Sequence, residues 1–277
     1  MIISIINLTS GKIRDEEVQR VIRAINRQIA EDFQPYWSFG ARLRLEGNSS
    51  SEPAKQSPVD MRGDAILYLW DKTNMKDAFG YHMNNNKGIP YGFVFTELSK
   101  KLGEDWSTTL SHEALELIGD PQVNLLVQGP RPDDSEGFVF HSYEMCDAVQ
   151  DEWYEIDGVK VSNFVLPLYF TETNEIGGRN DFLGREYNGK KLKSFGINPG
   201  GYVSFFDCAS GTYGDFSRKS DKRAAQRMGI KKQAGSGRSN IRKQGRPDCG
   251  SNERPDEGGD GRQTRKIIAK RKSISPK

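Results

Sequence analysis

Apolar and polar positions recur with two different periods along the first 120 residues. "IISIINL" at 2–8 is a short apolar run of the kind a buried strand needs. From Asp15 onward, Val18, Val21, Ile22, Ile25 and Ile29 return at helical spacing, with charges between them and acids at the start. That pattern predicts a long amphipathic helix over "DEEVQRVIRAINRQIAEDF", packed by one face. After Pro35 the period changes to two: Phe39, Ala41, Leu43 and Leu45 alternate with Arg42, Arg44 and Glu46, a half-buried strand.

"GNSSSEPAKQSP" is a loop by composition, and "DAILYLWD" is a short central strand. "HMNNNKG" is read as a loop and "YGFVFTEL" as a strand, with "YGFVF" a sheet edge on which an extended peptide could pair. Helical spacing then returns over "EDWSTTLSHEALELIG", with an apolar stripe of Leu110, Ala114, Leu117 and Ile118, stopped by Gly119 and Pro121. Strands follow at "GFVFHS" and "GYVSFFD". Asp157-Gly158 inside "WYEIDGVKVSNFVL" predicts a tight hairpin turn. The order predicts an α+β fold: a mixed twisted sheet with a long N-terminal helix and a second helix that carries the polar residues.

Charge divides the chain in two. Residues 218–277 hold 19 Lys+Arg against 6 Asp+Glu, while residues 1–217 hold 21 against 32, so a net +13 follows a net −11. The basic segment is rich in Gly, Ser, Arg and Lys and poor in large apolar residues, which predicts a disordered tail at 218–277 behind one domain at 1–217. Such a tail suits nucleic acid or another polyanion, or serves only as a solubilising extension; it offers no aromatics for base stacking. Three cysteines give neither a disulfide framework nor a CxxC pair. No apolar run is long enough to span a membrane, and the N-terminus lacks the features of a signal peptide, so the expected location is cytoplasmic with no membrane partner.

The chemistry concentrates in "SHEALELIGDP". Positions i and i+4 share a helix face, so His112 and Glu116 can reach one ion while Glu113 leans toward the same point as a general base. A carboxylate at the second ligand position is acceptable to zinc and makes the site harder, open to manganese or iron. Glu144, 28 residues after Glu116, is the expected third ligand, and Asp147 an orienting partner or alternate. Asp120 and His141 are further alternates; the plainer readings are a helix-end turn for Asp120 and a strand position for His141. His82 is either a cleft residue or a surface loop histidine. Tyr143 is an oxyanion donor or a packing residue. Ser107, Ser111 and Ser142 lie near histidines but form no nucleophile elbow, and acids disfavour the Cys146 thiolate.

These segments, with "YEMCDAVQ" and "YEIDGVKVSNFVLPLYF", resemble a group of bacterial and phage proteins with an HExxExxxDP core. More loosely, the element order is similar to that of zincin metallopeptidases of the metzincin type. The resemblance implies a zincin-like domain with one divalent ion, zinc or another metal, held by His112, Glu116 and Glu144. It implies hydrolysis of a peptide substrate by a metal-activated water, with Glu113 as general base and Met145 in a supporting role. Two departures stand out: Glu116 replaces the second helix histidine and Gln122 the third, while Gly119 keeps the glycine step. The alternative is a non-catalytic relative of the same fold with a structural ion or none, whose tail carries the interaction.

Overall fold

The computed structural model describes residues 1–47, 63–71, 80–84, 88–101, 103–171, 179–218 and 220–225. The chain divides into two units, Met1–Arg246 and Pro247–Lys277. All of the second unit, most of the expected tail and most of the loop at 47–58 lie outside the described residues.

The first unit is a mixed α+β structure. Strands β1 (Ile2–Leu8), β2 (Arg42–Glu46), β3 (Ala65–Trp70), β4 (Gly80–Asn84) and β5 (Pro90–Phe95) form a five-stranded sheet in the order β2-β1-β3-β5-β4. All neighbours are parallel except β4, which runs antiparallel to β5. A parallel β1–β2 pair requires a crossover, and helix α1 (Asp15–Arg27) supplies it. Its first turn carries Asp15, Glu16 and Glu17, and it buries Val18, Val21, Ile22, Ala24 and Ile25. These side chains meet Ile3, Ile5, Leu43, Ala65, Leu67 and Val94 in the main core. The alternate positions Ile6, Ile66, Tyr68, Phe93 and Phe95 form a second cluster on the other face, as period-two strands require.

Two expectations are corrected in this sheet. "YGFVF" is no edge: β5 is bonded on both sides, by β3 and β4. The outer strand is β4, in the segment read as loop from its run of asparagines. That strand has only five residues, too few to show a period, and residues 85–87 lie outside the described ones.

The long helix also departs from its expected form. Beyond Arg27 the chain widens into a π-turn at Gln28–Phe33, then continues as the short α2 (Gln34–Trp37), ended by Ser38 at φ 60°. The wide turn aims Gln28 inward. Its Nε2 donates to the Ser162 carbonyl at 2.7 Å, and its Oε1 accepts from Ser111 Oγ at 2.6 Å.

After β5 come α3 (Thr96–Lys101) and α4 (Trp106–Gly119), the latter carrying the stripe Leu110, Ala114, Leu117 and Ile118 into the core. The second half is antiparallel: β6 (Leu126–Pro130), β7 (Phe138–Ser142), β10 (Val203–Asp207) and β11 (Thr212–Phe216), in the order β11-β10-β7-β6. Strands β8 (Trp153–Ile156) and β9 (Val159–Ser162) form the expected hairpin, turned by Asp157 and Gly158 at φ 52° and 70°. The packed body continues beyond the boundary that composition marks at 217. Ala224 is fully buried and Arg223 pairs with Asp151 at 3.2 Å, so charge composition alone sets the boundary too early. Among the described residues, no helix is long and apolar enough to cross a membrane.

Candidate metal centre

Helix α4 is buried almost all round, which is unusual for a segment holding His112, Glu113 and Glu116. Its position is fixed from two sides. Ser111 Oγ donates to Gln28 and accepts the Ser162 N–H at 3.0 Å, tying α4 to the π-turn and to β9. Beneath the helix end runs the stretch 143–149, fastened by Val165 N–H to the Met145 carbonyl at 2.7 Å. Met145 is fully buried, and a Cβ on Gly119 would run into its Sδ and Cε, so the glycine is needed for this close approach.

On the face so positioned, His112 Nε2 stands 3.1 Å from Glu116 Oε1 and 3.3 Å from Asp147 Oδ1. Two donors on a tetrahedral zinc ion, each about 2.0–2.1 Å from it, stand roughly 3.3–3.4 Å apart, so both separations fit a shared ion. Glu116 Oε1 also accepts the Cys146 N–H at 3.3 Å. Asp147 Oδ1 accepts the hydroxyl of Tyr202, whose own N–H donates to the Asp147 carbonyl at 3.1 Å. On the far side of the helix face, His82 Nδ1 lies 3.4 Å from Glu113 Oε2. Ligating atoms of His112, Glu116 and Cys146 lie within 4.8 Å of one another, and so do those of His82, Glu113 and Glu116.

Electrostatics follow from the crowding of acids. Burial raises the Glu116 carboxyl to about 7, with the charges of Asp147 and Glu144 adding to it and His112 opposing. Burial works against a charged His112 most strongly, but Glu116, Asp147 and Glu113 outweigh it and raise the imidazole to about 10. The Cys146 thiol is pushed well up, by burial and then by Glu116, which agrees with its exclusion as a nucleophile.

The helix spacing brings His112 and Glu116 together, Asp147 joins them from the 147–149 turn, and Glu113 faces His82. Glu144 is buried nearby, and its charge raises both Glu116 and Asp120; neither its carboxylate nor that of Asp147 is in either tight group. Asp147, the alternate, makes a direct contact with His112. Asp120 takes the plainer of its two readings: its carboxylate accepts the N–H groups of Asn124 and Leu125 at 3.1 and 2.9 Å, closing the turn after α4. His141 sits apart on β7, its Nε2 2.7 Å from the Pro130 carbonyl and its ring 4.8 Å from that of Phe195, so the alternate ligand role is not supported. Tyr143 packs between Trp37 and Phe170. Ser107 donates to the Lys160 carbonyl and Ser111 to Gln28, so neither is paired with a histidine. Gln122 donates to the Gly88 carbonyl at 3.2 Å and receives Asn84 at 2.9 Å, tethering the helix exit to β4.

Sequence reasoning undervalued two residues. Of the two readings of His82, cleft residue or surface loop histidine, the second is excluded: the residue is completely buried on β4. Tyr202 lies at the start of "GYVSFFD", where the sequence marks only a strand. There a Cβ on Gly201 would meet the Ala148 carbonyl carbon at 2.6 Å, so the glycine lets this loop lie against the 147–149 turn. Neither has a local signal, since each reaches the centre only through tertiary pairing. Comparison with protein-family models, with curated proteins and with solved structures finds no match.

Proposed function

We propose that the chain is a divalent-metal hydrolase of zincin-like fold that cleaves a peptide or a similar amide. One observation carries this reading: His112 and Glu116 converge on a buried face of α4 at 3.1 Å, with Glu113 between them in sequence. The sheet with its antiparallel outer strand, the helix α4 that follows it, and Met145 packed under Gly119 support the zincin-like assignment. His112, Glu116 and Asp147 would hold the ion, which supplies Lewis acidity and a more acidic water. Tyr202 donates to Asp147 Oδ1 and so fixes the carboxylate that would share the ion with His112 Nε2. Glu113 would accept a proton as the water oxygen adds to the amide carbonyl and would give it to the nitrogen as the C–N bond breaks.

One observation favours a second reading. Every member of the centre is buried, Glu116 completely and His112 at 7 % exposure, which suits a structural ion in a non-catalytic relative. Glu113→Gln separates the two. In a peptide-library digest, the hydrolase reading expects cleavage by the metal-loaded chain, lost in the variant while the ion held by His112 is kept. No cleavage by the metal-loaded wild type, or equal cleavage by both, moves the account to the structural ion.

A further inference from the structure

Glu116 belongs to two ligand groups at once. One contains His112 and Cys146; the other contains His82 and Glu113. His82 comes from β4, 31 residues before Glu113, and its register opposite Gly92 places it over α4. The Nδ1–Oε2 separation of 3.4 Å matches the edge of a shared coordination shell as well as the His112–Glu116 pair does. The four buried carboxylates Glu113, Glu116, Glu144 and Asp147 carry the charge of two dications, and Asp120 is already engaged by backbone N–H groups. An imidazole with two carboxylates suits zinc, manganese or cobalt, and paired ions are typically about 3.5–4 Å apart with a carboxylate between them.

We infer that His82, Glu113 and Glu116 form a second divalent-cation site, with Glu116 bridging it to the ion held by His112. The inference rests on the metal-centre reading above and adds a consequence to it. Glu113 cannot be a ligand and a proton acceptor at the same moment. Filling the second site therefore withdraws the base, and the doubly loaded chain is the less active form. Excess metal then acts as a brake on the same centre.

The test uses the full chain, purified without a histidine tag, stripped by chelator and titrated with zinc and separately with manganese. Elemental mass spectrometry and calorimetry should find two ions per wild-type chain at saturation and one in His82→Ala. Paramagnetic resonance of the manganese form should show a coupled pair in the wild type and an isolated ion in the variant. One ion in both proteins, lost in His112→Ala, overturns the second site and leaves the single-ion centre standing. No ion in either overturns both. Should His82→Ala fail to fold by circular dichroism, the wild-type stoichiometry and the manganese coupling still decide.

Discussion

On the proposed reading, a proton and a divalent cation compete for the same nitrogen of His112. With the Glu116 carboxyl raised from 4.5 to about 7, its contribution to stability is complete below about pH 4.5 and is lost as pH rises through 7. With His112 raised from 6.5 to about 10, its contribution is complete below 6.5 and is lost as pH rises through 10. Both slopes have the same sign. The chelator-treated chain should therefore lose thermal stability steadily from about pH 5 to pH 9, and His112→Ala should flatten the upper part of that decline. Metal uptake displaces the His112 proton, so affinity for zinc should climb over the same range. A stripped chain that grows more stable on going alkaline would contradict this. Tyr202→Phe removes only the hydroxyl that Asp147 accepts. It should weaken metal binding about ten- to hundred-fold, measured by competition with a chelating dye, without changing the fold. Gly119→Ala forces a methyl group against buried Met145 and should cost about 1–3 kcal/mol in a urea melt.

Among the elements, α4 was legible because its signals are local: a stripe at 3.6-residue spacing, a Gly and Pro stop, and two ligands one turn apart. The Asp157-Gly158 hairpin was legible for the same reason, since its two left-handed positions name their own residues. What could not be read was how elements meet. The π-turn at Gln28–Phe33 looks like continuous helix in sequence, because the apolar spacing survives it. Its purpose appears only in three dimensions, where Gln28 closes a ring with Ser111 and Ser162 that holds the ligand helix in place. Gln28→Leu should leave buried partners unsatisfied and cost about 1–3 kcal/mol, read by thermal melting. A neutral outcome would mean that α4 is held by its apolar stripe alone. Strand β4 was illegible because its five residues bear no clear alternation, so nothing local decided between the two readings of His82.

For the whole molecule, the charge division is as plain in the sequence as the centre is: net −11 over residues 1–217 and net +13 over residues 218–277. The structure moves the end of the packed body to Ala224 at least, so a truncation that tests the tail should stop after Ala225. The full chain should bind nucleic acid with an affinity that falls as salt rises, and the truncated chain should not. Binding by the truncated chain, or binding insensitive to salt, would assign that property elsewhere. If the proposed centre holds an ion, the truncated chain should hold it too, because every proposed ligand lies within residues 82–147.

Metal content tests the central claim most directly. Tag-free protein, analysed by elemental mass spectrometry beside His112→Ala, should carry zinc, manganese or iron in at least one equivalent, and the variant should lose the ion that His112 holds. If neither protein holds metal, even after zinc is offered at neutral pH, the buried cluster on α4 is not a metal centre and the hydrolase reading falls with it.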